Sequence, residues 1–262
     1  MTLTAHGIGV VAGGATLVAD AALTIAPGEL VVLLGPNGAG KTSLLRAAIG
    51  LIPATGSAML DGEPTAAMAP VARARALSYL PQMRPLAWPA RVRDVVALGR
   101  FAHGVTLGRL SARDAEAVER ALARCDLLAL ADRATDTLSG GELARVHLAR
   151  ALAAEAPLIV ADEPVAALDP RHQHRVMGVL RDFVRDGGGA LAVLHDLALA
   201  AAYADRLVWM KGGRVIAQGT VRETMTVERI AEVYRVRARI IDGDVMIDGL
   251  VERVLKPRRT GL

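Results

Sequence analysis

Leu30-Val31-Val32-Leu33-Leu34 runs straight into Gly35-Pro36-Asn37-Gly38-Ala39-Gly40-Lys41-Thr42, and this junction dictates the architecture. A continuous apolar run closed by a turn suits a strand buried on both faces of a parallel sheet. The glycine-rich run fits G-x-x-x-x-G-K-[ST], and a helical pattern opens at Ser43-Leu44-Leu45. Strand, loop and helix in that order make a phosphate cradle. The glycines let backbone N–H groups curl around phosphate oxygens, and the helix N-terminus adds partial positive charge. Lys41 reaches the β and γ phosphates, and Thr42 offers an oxygen to Mg²⁺. The only lysines are Lys41, Lys211 and Lys256, arginine filling every other basic position, so lysine at 41 reads as required. The candidate nucleotide contacts are Gly35, Pro36, Asn37, Gly38, Ala39, Gly40, Lys41, Thr42 and Ser43.

Outward from this junction, Leu158–Ala161 and Ala190–Leu194 are further short apolar runs, and helical patterns lie between them, which implies an α/β core. Leu158-Ile159-Val160-Ala161-Asp162-Glu163-Pro164 places two carboxylates directly after a buried strand, where an α/β sheet exposes its crevice. Asp162 is placed to hold Mg²⁺, directly or through water. Glu163 is placed to take a proton from an attacking water, a role worth about 10²–10⁴ in rate. Leu138-Ser139-Gly140-Gly141-Glu142 makes a second anion-friendly helix start, ahead of a helix with Ala149 and Leu152 on its apolar stripe.

Val118, Ala121, Leu122, Cys125 and Leu128 recur at helical spacing, with Ser111 and Asp114 as a capping box, and predict an amphipathic helix. From about Met83 to Asp136 there are helical stretches and no buried strand, as in an inserted helical lobe. Arg206–Met210 and Arg214–Ala217 flank Lys211-Gly212-Gly213, and Arg239–Ile241 and Val245–Ile247 flank Asp242-Gly243, so both pairs read as hairpins. Gly187-Gly188-Gly189 marks a tight loop before a strand.

With 52% hydrophobic and 22% charged residues over 262 positions, composition excludes a mainly disordered chain and a collagen-like or disulfide-rich scaffold. The net charge of +4 and the 3% aromatic content argue against nucleic acid as a partner. A single cysteine, Cys125, excludes an intramolecular disulfide and fits a reducing compartment. Glycines interrupt residues 1–19, which lack a basic segment, so a signal peptide is not expected. Nowhere do about 20 apolar residues run together, so membrane association is expected through a partner.

Taken in this order, the motifs resemble the ATP-binding cassette family of transport ATPases over nearly the whole chain. The resemblance implies an α/β P-loop NTPase core with a mainly parallel sheet, an antiparallel β subdomain and an inserted helical subdomain. Residues 1–262 form one domain in this reading. Residues 1–82 and 137–220 are the nucleotide-binding core, 83–136 the helical subdomain and 221–262 a C-terminal extension. Gly35 to Thr42 corresponds to Walker A, Leu158 to Glu163 to Walker B with its catalytic glutamate, and Leu138 to Glu142 to the signature motif. Gln82, in Tyr79-Leu80-Pro81-Gln82, matches the Q-loop glutamine that touches Mg²⁺ and couples to the membrane subunit. Asp169, in Ala167-Leu168-Asp169, matches the D-loop. His195, in Val193-Leu194-His195-Asp196-Leu197, matches the switch histidine at the γ-phosphate.

The resemblance further implies ATP and Mg²⁺ as cofactors and a head-to-tail homodimer. Each ATP lies between Walker A of one copy and Ser139-Gly140-Gly141 of the other. The partners implied are an integral membrane permease and, indirectly, a periplasmic or lipoprotein binding protein, with the ATPase peripheral on the cytoplasmic face. Residues Arg75–Gln82, Val92–Phe101 and His195–Arg206 are similar to importer ATPases for iron-siderophore complexes, haem and cobalamin. Val92–Phe101 also reads as a surface helix with a Val95, Val96 and Gly99 face. An exporter ATPase and a non-transport cassette ATPase remain alternatives. The first is disfavoured by the lack of fused membrane helices, the second by the lack of tandem cassettes or basic arms.

Three departures stand out. Val11 and Ala12 occupy the place of the family's adenine-stacking aromatic, which implies weak adenine contact. Val165 and Ala166 replace common hydroxyl residues, and Ala144 replaces a usual glutamine. Elsewhere, Cys125 reads as core, and His172 and His174 diverge too far for a metal site. Trp88, beside Pro85 and Pro89, reads as a partner contact or as local packing. Arg253, Lys256, Arg258 and Arg259 read as a solvated tail or as a contact for anionic lipid.

Overall fold

A computed structural model describes residues 1–82, 86, 88–106, 109–241 and 243–250. Met83 and Pro85, the turn residue Asp242 and the basic tail lie outside the described residues. The chain opens with β1 (Leu3–Ala12), β2 (Ala15–Ile25), β3 (Leu30–Leu34), α1 (Lys41–Ala48), β4 (Thr55–Leu60), β5 (Glu63–Pro64), α2 (Pro70–Ala76) and β6 (Leu77–Leu80). A helical stretch follows: α3 (Val92–Ala97), a 3₁₀ segment (Leu98–His103), α4 (Ala112–Arg124) and α5 (Gly140–Ala153). The chain then alternates through β7 (Leu158–Ala161), α6 (Pro170–Arg185), β8 (Gly189–Val193), α7 (Leu197–Tyr203), β9 (Arg206–Lys211) and β10 (Arg214–Thr220). It closes with α8 (Val221–Thr224), α9 (Val227–Tyr234), β11 (Val236–Ile241) and β12 (Asp244–Leu250).

The central sheet has the order β10-β9-β3-β8-β7-β6, parallel throughout except for the antiparallel edge strand β10. All residues of β3, β7 and β8 are buried, as continuous apolar runs require. The pleat divides them. Leu30, Val32 and Leu34 join one core with α3 to α7, while Val31 and Leu33 join a second core with α1, β1 and β2. A separate antiparallel sheet, β2-β1-β4-β5, covers that second face. The hairpin read from Arg206 to Ala217 exists, but β9 is also a full member of the parallel sheet, pairing Leu34 with Trp209. α1 begins at Lys41, two residues before the helical pattern becomes legible.

Three expectations are corrected in the helical stretch. Val92–Phe101 is not a surface helix: Val92, Val95 and Val96 are at most 1% exposed, and the segment tightens to 3₁₀ where Gly99 meets the Arg150 carbonyl. The capping box at Ser111 is only half formed. Ser111 Oγ accepts the Asp114 N–H at 3.2 Å, but the Asp114 carboxylate turns instead to Ser111 Oγ and to Arg100 Nε at 2.9 Å. Arg100 is 1% exposed, and it also bonds Glu155 and the Ala153 carbonyl. A desolvated guanidinium needs its counter-charges more than the helix needs a second cap bond. α5, read as one-sided, is buried almost all round, including Arg145 and His147. Cys125 lies in the core, where burial pushes its thiol up to about 12.

Arg100→Ala is expected to cost about 3–5 kcal/mol, because it strands the buried Asp114 carboxylate; an unchanged urea midpoint would refute this. Ser111's hydroxyl and then Arg100 hold the Asp114 carboxyl below its ordinary range. Its contribution is complete above about pH 4 and drains as pH falls through the lowered native value, so acid titration of the Arg100→Ala chain should be shallower.

Candidate functional site

Gln82, Asp162, Glu163, His195 and the glycine loop all lie just beyond the C-terminal ends of neighbouring parallel strands, namely β6, β7, β8 and β3. The loop's shape follows from glycine. A Cβ at Gly35 would lie 2.3 Å from the Met210 carbonyl oxygen, and one at Gly40 would lie 2.3 Å from that of Leu17. Gly38 and Gly40 have φ of 76° and 96°, left-handed positions that turn consecutive amides toward one side. At the start of α1 the first-turn N–H groups have no intrahelical partner and join this concavity.

Lys41 is buried, with Nζ donating to the carbonyl oxygens of Gly35 at 2.8 Å and Pro36 at 3.0 Å. Burial lowers its pKa, and the nearby Glu163 and Asp162 act against that. Asp162 is fully buried, and burial raises its pKa. Its Oδ1 accepts the Thr42 hydroxyl at 3.2 Å, its Oδ2 accepts the Tyr79 hydroxyl at 3.4 Å, and Arg46 donates to the same phenol. Asp162 has no salt bridge among the described residues. A buried carboxylate beside a threonine hydroxyl, held by hydroxyls alone, is a donor set that fits a hard divalent cation.

Glu163 has φ of 51°, a left-handed conformation that costs a non-glycine residue about 1–3 kcal/mol. That twist lets adjacent carboxylates diverge, Asp162 inward and Glu163 toward the cleft. Glu163 Oε2 accepts Gln82 Nε2 at 2.7 Å, and Oε1 lies 2.7 Å from His195 Nε2. The cleft has a volume of about 320 Å³ and is lined by the loop, Thr42, Ser43, Gln82, Glu163 and Leu17.

Ser139, Gly140, Gly141 and Asp169 do not line this cleft. Ser139 caps α5 in a complete capping box with Glu142, and Asp169 caps α6 while its carboxylate takes the His172 ring at 2.8 Å. Sequence reasoning missed Leu17, Tyr79 and Arg46. The four-residue step from Thr42 to Arg46 on α1 puts both on one helix face, a signal that could have found Arg46.

The sequence profile of the family described as ABC transporter matches residues 18–166. The hemin import ATP-binding protein HmuV of Nocardia farcinica is 45% identical over 222 residues, covering 84% of this chain and 76% of that protein. The chain belongs to the ABC transporter family. This ABC ATPase therefore uses ATP, and its hydrolysis is coupled to transport. HmuV of Pseudomonas fluorescens is 41% identical, over 88% of this chain and 92% of that protein. The cobalamin import ATP-binding protein BtuD of Halobacterium salinarum is 39% identical, over 99% of this chain and 65% of that protein. Among solved structures, an ATP-binding subunit of an ABC transporter superposes with a TM-score of 0.75 at 26% identity, covering 86% of this chain and 92% of that one. A dimeric ATP-binding cassette in a post-hydrolysis state with ADP and Pi gives 0.71 at 26%, covering 85% and 99%. No helix among the described residues is long and apolar enough to cross a membrane.

Gly40→Ala combines a forbidden φ with a backbone clash, and is expected to cost about 2 kcal/mol or more. Urea denaturation measures it, and a parental midpoint would mean that the Leu17 backbone gives way freely.

Proposed function

We propose that this ABC ATPase energises haem uptake through a separate membrane permease, working as a homodimer on the cytoplasmic face of the membrane. The observation that carries the reading is the hemin-import relatives, similar along most of their own length. In this reading residues 1–82 and 137–220 form the nucleotide core, 83–136 the helical subdomain and 221–262 a C-terminal extension. Trp88, 66% exposed and shortly beyond Gln82, is assigned to permease contact. An iron-siderophore complex and cobalamin are the other cargoes of this class, and a periplasmic or lipoprotein binding protein delivers the cargo.

The site's residues divide the work. Residues 35–43 cradle the triphosphate with their amides, while Lys41 exchanges its two carbonyl partners for phosphate oxygens. Thr42 and Asp162 hold Mg²⁺, with Gln82 beside them. When bound, the magnesium nucleotide supplies the scissile phosphoanhydride bond and the charge that balances the site. Glu163 takes a proton from water at a carboxylate oxygen. Gln82 and His195 each bond one of its oxygens in this structure, and a carboxylate oxygen has lone-pair sites for more than one donor, so these two residues orient the base. Ser139, Gly140, Gly141 and Asp169 face the nucleotide held by the partner copy, which accounts for their distance from the cleft.

Glu163→Gln is expected to lower turnover by about 10²–10⁴ with ATP binding retained, while Lys41→Ala loses binding itself. Phosphate release at the parental rate by Glu163→Gln would sink the base assignment. Val11 is 68% exposed and Leu17 lines the cleft with an apolar side chain, so neither position offers the base a hydrogen bond. ATP and GTP are expected to differ in kcat/KM by less than about tenfold, since apolar walls discriminate weakly. Competition assays would show otherwise if the ratio exceeded that. For the cargo, the native complex is purified in mild detergent and its binding protein titrated with haem and with cobalamin. Binding of cobalamin alone reassigns the cargo, and recovery of no permease overturns the importer.

A further inference from the structure

The last residue of α9, Tyr234, lies 199 positions from the start of the glycine loop, yet its hydroxyl accepts the Gly35 N–H at 2.9 Å. Gly35 is the first residue past β3, where the strand ladder no longer supplies a partner for that amide. Its carbonyl is taken from the other side by Lys41 Nζ. One peptide residue is therefore gripped twice, by the nucleotide-binding lysine from within and by the C-terminal segment from without. Tyr234 is held firmly. Its ring stands edge-on to Trp209 at 6.5 Å, Trp209 is fully buried on β9, and Ile230 and Val233 anchor α9 in the core. Burial pushes the phenol up to about 12, so it stays neutral across physiological pH. The same segment reaches the opposite side of the cleft, because β12 packs beside α7, the helix that starts two residues after His195.

We propose that Tyr234 is a positioning residue that fixes the start of the glycine loop, so that docking of residues 227–250 is coupled to nucleotide binding. The inference rests on the nucleotide reading given above. Lys41 Nζ spends two of its three donors on the Gly35 and Pro36 carbonyls, and a phosphate competes for them, so nucleotide weakens one of the two grips. The Tyr234 bond is then what keeps the loop in its binding shape. Without it, the competent conformation is a smaller fraction of the population, and apparent affinity falls by that fraction. Coupling is reciprocal, so nucleotide must tighten α9 by the same factor.

The test uses the full chain in a Glu163→Gln background, with Mg²⁺ and ATP as the probe. Tyr234→Phe removes only the hydroxyl. It is expected to raise the Kd for ATP about fivefold, the lower end of typical coupling, and to shrink the gain in melting temperature that ATP gives. With Tyr234 intact, ATP should slow amide exchange across Ile230–Tyr234 by a similar factor. Parental affinity and melting gain in Tyr234→Phe, or α9 exchange indifferent to ATP, would overturn the proposal. Should Tyr234→Phe fail to fold, the exchange experiment with Tyr234 intact decides alone. Absence of ATP binding in the Glu163→Gln chain would instead defeat the nucleotide reading on which the proposal rests.

Discussion

Parallel pairing of β3, β8, β7 and β6 is the constraint on which everything else hangs. Parallel strands point all their C-terminal ends to one edge, so residues distant in sequence emerge side by side there. Gly35, His195, Asp162 and Gln82 meet because each lies one or two positions beyond its strand. Such a sheet is stable only if buried on both faces, which explains why the inner strands β3, β7 and β8 are buried along their whole length. It also explains why α3 to α7 must cover one face and the β1, β2 and α1 layer the other. A catalytic edge and a two-sided core are thus one demand of one topology.

At that edge the charges do not balance. Lys41 is the buried cation that faces Asp162 and Glu163, while the exposed Arg46 acts on Asp162 from the rim. Asp162 answers the deficit with hydroxyl partners, which satisfy its lone pairs without neutralising it. Glu163 answers it with the Gln82 amide and the His195 ring. A polyanion alone would add to the negative side, whereas a polyanion with a divalent cation restores balance. In the proposed reading the magnesium nucleotide enters as a unit, with the cation beside Asp162 and Thr42 rather than beside Lys41.

What could be read beforehand was whatever is encoded locally. The junction at Leu30–Thr42, the carboxylates after β7 and the histidine after β8 are each a strand followed at once by a chemical group, and their bounds shifted by at most one or two residues. The antiparallel strand β1 was illegible because Gly7 and Gly9 break the alternation that marks a half-buried strand. Asp114 was read as half of a cap because its spacing from Ser111 is local, while its true partner, Arg100, lies outside the helix. Tyr234 carries no motif at all. Its role depends on chain closure across the whole domain, which no window of sequence contains.

The signature segment shows how a motif glycine can have an internal cause. A Cβ on Gly141 would lie 2.3 Å from the His172 ring, and His172 is itself fixed by the Asp169 carboxylate at 2.8 Å. The start of α5 and the start of α6 are thus packed in contact, one through the missing side chain and the other through a ring that its own helix cap holds in place. Gly141 is required by this packing before any second copy arrives. In the proposed dimer the surface offered to the partner's nucleotide and the surface carrying Asp169 are therefore neighbours, joined through the Gly141–His172 contact.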